Sequence, residues 1–220
     1  MADTQQKNIY KTIALSLLFI VVVIAGFVHK VLQPRVLGVK EMVNNGAIMF
    51  QTPREISDFA LTDKNGKAFT LEQFRGQWTL VFFGFTHCPD ICPTTLATFN
   101  ELSGALDGTG FDDDTQYLLV SLDPARDTVD KLKTYVDYFN PAFQGVTGEF
   151  RQLLRFATQL NVAYQKIMLG DGDDPAHYTI DHSGHVALVN PRGHYHGFFK
   201  PPIEVGKLAL TYKSVRMENR

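Results

Sequence analysis

Residues 78–93 read Trp-Thr-Leu-Val-Phe-Phe-Gly-Phe-Thr-His-Cys-Pro-Asp-Ile-Cys-Pro. The first eight, Trp78–Phe85, are almost continuously apolar. Their length and aromatic content predict a strand buried on both faces. The run stops at Thr86-His87-Cys88-Pro89. Beyond it Leu96, Phe99 and Leu102 recur at helical spacing, which predicts a helix from Pro93 to Leu106. A buried strand passing through a cysteine-bearing turn into a helix is the unit around which the rest of the chain is arranged.

Downstream, Gln116–Leu122 (QYLLVSL) repeats the buried-strand pattern, and Asp127–Phe139 is amphipathic with Asp127 or Thr128 as its cap. Glu149–Leu160 predicts another helix and Asn161–Met168 a short strand. Gly170–Pro175 (GDGDDP) predicts an exposed acidic loop. His185–Asn190 and Tyr195–Phe199 predict a hairpin around Pro191-Arg192-Gly193, closed by a helix over Glu204–Met217. Upstream, apolar residues flank Asn65-Gly66 within Asp58–Phe74, a two-residue hairpin signal, and an early strand is expected near Gly46–Phe50. This order implies a central mixed sheet with helices on both faces, an α/β or α+β sandwich.

The chain has 220 residues, 45% apolar and 20% charged, with a formal net charge of −2. Such values suit one globular domain with a sizeable core and give no basic field for nucleic acid. Thr12–Val28 is uncharged over its whole length, at the short end of what spans a bilayer, and Ile9, Tyr10 and a snorkelling Lys11 extend it. A cleaved signal peptide is the alternative; the long apolar core and the lack of an A-x-A site favour an uncleaved anchor. Lys7 and Lys11 before the span are balanced by Lys30, Arg35 and Lys40 after it, so flanking charge does not orient the chain. The expected organisation is a tail over 1–11, a transmembrane anchor over 12–29, a tether over 30–50 and a folded domain over 51–220.

Only two cysteines are present, Cys88 and Cys92. At a strand-to-helix junction the first lies near free backbone N–H groups and the positive end of the helix dipole, both of which favour thiolate. If the helix begins near Cys88, positions i and i+4 share a face and both sulfurs can address one ion. Thiol–disulfide exchange, a structural disulfide and two small buried hydrophobes remain as alternatives. Two thiolates make an incomplete metal site. His29 is remote and His87 adjoins Cys88 too closely to share its ion. His177, His182, His185, His194 and His196 cluster late; His194 and His196 alternate with Tyr195 and read as surface residues. His182 lies in a loop feeding the strand from His185, with Asp181 and Ser183 as candidates to fix its ring; position alone puts it only modestly ahead of its neighbours. Asp123, at the end of a buried strand, reads equally as a turn residue beside Pro124 or as a group tuning the site.

Three ordered motifs add a resemblance. Phe83–Pro93, Ser121–Thr128 (SLDPARDT) and Tyr178–Ser183 resemble signatures of the Sco/SenC family of copper proteins, and the similarity runs over residues 50–215. The resemblance implies a thioredoxin-like, peroxiredoxin-related fold behind an N-terminal transmembrane helix. It implies copper, Cu(I) or Cu(II), as the metal, with Cys88, Cys92 and His182 as its ligands. It also implies a chaperone that needs no turnover and helps metallate the binuclear copper site of cytochrome c oxidase. Its partner would be subunit II or another copper-delivery protein, and its domain would lie in the periplasm, on a single-pass anchor in a bacterial inner membrane. A membrane-anchored thiol–disulfide reductase using Cys88 and Cys92 is the alternative function. Peroxidase chemistry needs neither Cys92 nor His182, and zinc is compatible with the ligand types.

Overall fold

The structure, a computed structural model, describes residues 2–32, 36–170 and 177–219. The chain divides into two compact units, Met1–Val36 and Leu37–Arg220. The first contains helix α1, Ala2–Leu32. Within it Tyr10–Val28 is long and apolar enough to cross a membrane, by length and composition.

The second unit opens with a short helix inside the expected tether, α2 (Val39–Asn44), which leads into β1 (Ala47–Glu55). Strands β2 (Leu61–Asp63) and β3 (Ala68–Phe69) form the hairpin announced by Asn65-Gly66. Gly66 there has φ +79°, a conformation that glycine adopts without strain. Then come β4 (Trp78–Gly84), α3 (Ile91–Leu106), β5 (Thr115–Ser121), α4 (Val129–Phe139), β6 (Gln144–Thr147) and α5 (Phe150–Gln159). The chain ends with β7 (Tyr164–Met168), β8 (Tyr178–His182), β9 (Val186–Val189), β10 (His194–Phe199) and α6 (Val205–Glu218).

Eight strands make one mixed sheet in the order β1-β10-β9-β4-β5-β6-β2-β3. β4, β5 and β6 run parallel at its centre, and β9 joins β4 antiparallel. All seven residues of β4 are buried, which at about 1.5–3 kcal/mol for each large apolar group makes this strand a main source of stability. Helices cover both faces. Phe83 meets Phe156 of α5, with ring centroids 5.5 Å apart. On the opposite face Tyr117 of β5 meets Phe99 of α3 at 5.4 Å.

The local start signals work as expected in α4, where the Thr128 side chain accepts from the Lys131 N–H. Asp127, the other candidate cap, is buried elsewhere. Three features differ from the sequence expectation. Strand β6 was not foreseen. His182 is not in a loop but ends strand β8, which pairs with β7 in a separate two-stranded ribbon. His196 is not a surface residue but 6% exposed; both neighbours of β10 in the sheet are occupied, so alternation along it does not mean access to water. Its ring packs edge-on against Trp78 at 4.9 Å. Burial, with Arg192 nearby, pushes its pKa down to about 4. The GDGDDP stretch lies outside the described residues except for Gly170.

Candidate metal centre

The turn after β4 is fixed from beneath. The Thr86 N–H and hydroxyl both donate to the carboxylate of Asp127, at 2.9 and 2.6 Å. The Ser121 hydroxyl donates to the same carboxylate at 2.6 Å. The Cys88 N–H then turns back to the Phe85 carbonyl at 3.2 Å. Helix α3 begins at Ile91, so Cys88 precedes it and Cys92 occupies its first turn. The two cysteines therefore converge as loop and helix, not as two positions on one helical face. Both are free thiols, Cys92 buried and Cys88 partly exposed.

His182 arrives from β8. Its Nε2 lies 3.9 Å from Cys92 Sγ, and the two sulfurs and one ring nitrogen all fall within 4.8 Å of one another. Its Nδ1 lies 3.1 Å from the Ser183 carbonyl oxygen. A carbonyl can only accept, so Nδ1 carries a proton and is held by this bond, with Nε2 on the side of the sulfurs. It is the Ser183 backbone, not the Asp181 or Ser183 side chain, that orients the ring. The Phe82 and Phe85 rings flank the imidazole at 5.9 and 6.1 Å.

Close packing holds the three groups together. A Cβ on Gly84 would stand 2.7 Å from Cys92 Sγ, and one on Gly184 would stand 2.6 Å from Ile91 Cδ1. A side chain at Gly84 would press on the Cys92 sulfur itself, and one at Gly184 would require the Ile91 side chain to turn away.

The thiols are unequal. Cys88 is lowered to about 4, chiefly because the Cys92 thiol donates to it. Partial burial opposes this, while His182 and the Asp90 and Cys92 backbone N–H groups add to it. Cys92 is pushed strongly upward by the same hydrogen bond and by burial. The lowering expected at Cys88 has its neighbour's thiol rather than the helix end as its main cause. Two thiol sulfurs and an imidazole suit a soft or borderline cation. Donors bonded at about 2.0–2.3 Å to one first-row ion stand roughly 3.5–4 Å apart, so the observed spacing fits such an ion with little movement.

Among the described residues no other histidine joins this group. His185 Nε2 donates to the Leu160 carbonyl at 3.1 Å. The His177 carbonyl accepts from the Leu169 N–H. His87, Asp123 and Asp127 form a second close group, but it is already supplied with donors. Lys131 Nζ donates to His87 Nε2 at 2.9 Å, and Asp127 takes the Thr86 and Ser121 bonds. Asp123 Oδ1 accepts from the Tyr178 hydroxyl at 2.6 Å, and its other oxygen accepts from Arg126 Nε. The sequence placed Asp123 at a strand end; its bond to Tyr178, 55 positions away, carried no local signal.

A SCO1/SenC family profile matches residues 49–215. A Stutzerimonas stutzeri protein described as copper-binding is 38% identical over 161 residues, 73% of this chain and 76% of its own length. A SCO2-like protein of Rickettsia felis is 38% identical over 138 residues, 63% of this chain and 65% of its own. The human mitochondrial SCO2 homolog is 36% identical over 64% of this chain and 52% of its own, so the match spans only about half of that relative. Among solved structures, Arabidopsis thaliana ScoI with copper bound superposes with TM-score 0.67 at 32% identity, covering 73% of this chain and 98% of that one. Yeast Sco1 with copper bound gives 0.66 at 26% identity, covering 76% and 91%. The fold is the thioredoxin-like one expected. From its matched motifs, its fold and its cysteine–cysteine–histidine cluster, the chain belongs to the SCO1/SenC family.

Proposed function

We propose that the protein is a membrane-anchored copper chaperone that carries one copper ion as cargo on Cys88, Cys92 and His182 and assists metallation of the binuclear copper site of cytochrome c oxidase. The observation that carries this is the convergence, within 4.8 Å, of two sulfurs and an imidazole nitrogen from segments 90 residues apart. Copper bound in solved relatives supports the choice of metal over zinc. Cys88 is already thiolate at neutral pH, so loading requires proton loss mainly from Cys92. Sulfur ligands hold Cu(I), and the imidazole extends the set to Cu(II). Because Cys88 is partly exposed, a thiol of subunit II or of another delivery protein can reach the ion by ligand exchange. The N-terminal helix would hold the domain at the inner membrane of a bacterium, on its periplasmic side. Copper titration of the reduced protein tests this. About one ion per chain is expected in the wild type, and loss of stoichiometric binding in Cys88→Ser, Cys92→Ser and His182→Ala. Full retention in all three variants removes the proposal.

The inequality of the thiols supports a second function, reduction of the oxidase subunit's cysteines. The Cys88 thiolate would attack one sulfur of the target disulfide, releasing the other as a thiolate. Deprotonated Cys92 would then attack Cys88 Sγ, leaving a Cys88–Cys92 disulfide and two reduced target cysteines. This path does not use His182. An oxidase assembly assay in cells separates the two: a fully active His182→Ala chain favours exchange, an inactive one favours copper delivery.

A further inference from the structure

The histidine reaches the cysteines on a ribbon that is not bonded into the main sheet. Along β8, Tyr178, Ile180 and His182 share one face, because strand side chains alternate. Tyr178 and Ile180 are each 7% exposed, so this face is the one packed against the body of the domain. The position of His182 therefore depends on how the start of the same strand is held.

That start is held by charge as well as by packing. Asp123 stands at the C-terminal end of β5, beside the end of β4 that feeds the cysteine turn. It is 2% exposed and accepts the Tyr178 hydroxyl on one oxygen and Arg126 Nε on the other. Arg126 Nη1 reaches on to the Tyr178 carbonyl at 2.9 Å. The Tyr178 ring lies between two cations, Arg126 Cζ and Lys166 Nζ, each 3.6 Å from its centroid. One carboxylate and one guanidinium thus grip both the side chain and the backbone of a residue four positions before the histidine. The two hydrogen bonds to Asp123 are charge-assisted and shielded from water, where such bonds are strongest.

We infer that Asp123, Arg126 and Tyr178 are positioning residues, a clasp that fixes the His182 imidazole against the cysteine pair and so decides whether the site presents two donors or three. The inference builds on the copper assignment for its consequence, but the clasp itself is testable without metal. With it intact, His182 is available as a third donor. With it weakened, Ile180 still packs, the thiols still pair, and the histidine strand frays from its Tyr178 end.

The test uses the full chain in detergent micelles, as wild type, Tyr178→Phe and Asp123→Asn. The phenylalanine keeps the ring between its cations and removes only the hydroxyl. Amide hydrogen exchange on the metal-free protein is the first readout. At least tenfold faster exchange over residues 178–182, with β4 and β5 amides unchanged, is expected in both variants. Cupric sulfate is the second probe. Weakened or heterogeneous nitrogen hyperfine splitting is expected in both variants. Exchange in residues 178–182 that matches wild type in both variants overturns the clasp, as does acceleration spread equally over β4 and β5, which marks a general stability role. If the wild type itself takes up no copper, the functional assignment fails while the metal-free exchange still decides the clasp.

Discussion

The two halves of the site are built differently. The cysteine half rests on β4 and α3, buried among side chains from both faces of an eight-stranded sheet. The histidine half rests on the two-stranded β7–β8 ribbon, whose β7 side chains are mostly exposed. One half is held by packing throughout its length. The other packs through one face only, at Tyr178 and Ile180, and is tied by hydrogen bonds to Asp123 and Arg126 at its Tyr178 end. A site assembled in this way has a rigid floor and an adjustable wall.

The contrast can be broken or sharpened by substitution. Phe82→Ala in β4 should cost about 3–5 kcal/mol in denaturant unfolding, since it empties a fully buried aromatic site. A cost near zero would mean that the floor is not rigid. Gly84→Ala places a methyl group 2.7 Å from Cys92 Sγ and should cost about 1–3 kcal/mol while reducing copper binding; unchanged binding would show that the sulfur has room to move. Thr128→Ala removes the cap of α4 and should cost about 1 kcal/mol, with the site intact by copper titration. His182→Ala, on the adjustable wall, should stay within about 0.5 kcal/mol of wild type in stability, and a larger loss would assign the ring a structural task.

Acid sharpens the same contrast without mutation. Cys88 is lowered to about 4 and therefore stays thiolate from neutral pH down to that value. Its alkylation by iodoacetamide, followed by peptide mass spectrometry, should hold nearly level from pH 8 to 5 and fall tenfold per unit below pH 4. Cys92, pushed upward, should remain unmodified over the same range in the folded protein. A Cys88 rate already falling between pH 8 and 7 would indicate an ordinary thiol and remove the asymmetry.

The floor was legible in the sequence because its signals are local. Trp78–Phe85 is an uninterrupted apolar run and the cysteines follow it immediately. The wall was not. His182 stood scarcely ahead of four neighbouring histidines until the Sco-like motifs singled it out, and nothing periodic in Tyr178–His182 says that this strand leaves the main sheet. Strand β6 escaped because four residues, Gln-Gly-Val-Thr, show no period. Its Gly145 is required by Leu132 of α4, where a Cβ would stand 3.0 Å from Cγ, and that is a contact between distant segments. His196 misled because polar–aromatic alternation looks the same on a covered strand as on an exposed one. Asp123 was noticed, but its tie to Tyr178 exists only after folding.

The burial of Cys92 beneath Cys88 has a consequence for the order of events. An approaching sulfur from another protein meets the partly exposed Cys88 before Cys92, which is fully buried. A handover of cargo would then be directional: the outer anchor is exchanged first and the inner one lets go last. At no stage would the ion be without sulfur from one side or the other, so its escape into water would be avoided by the sequence of the exchange itself.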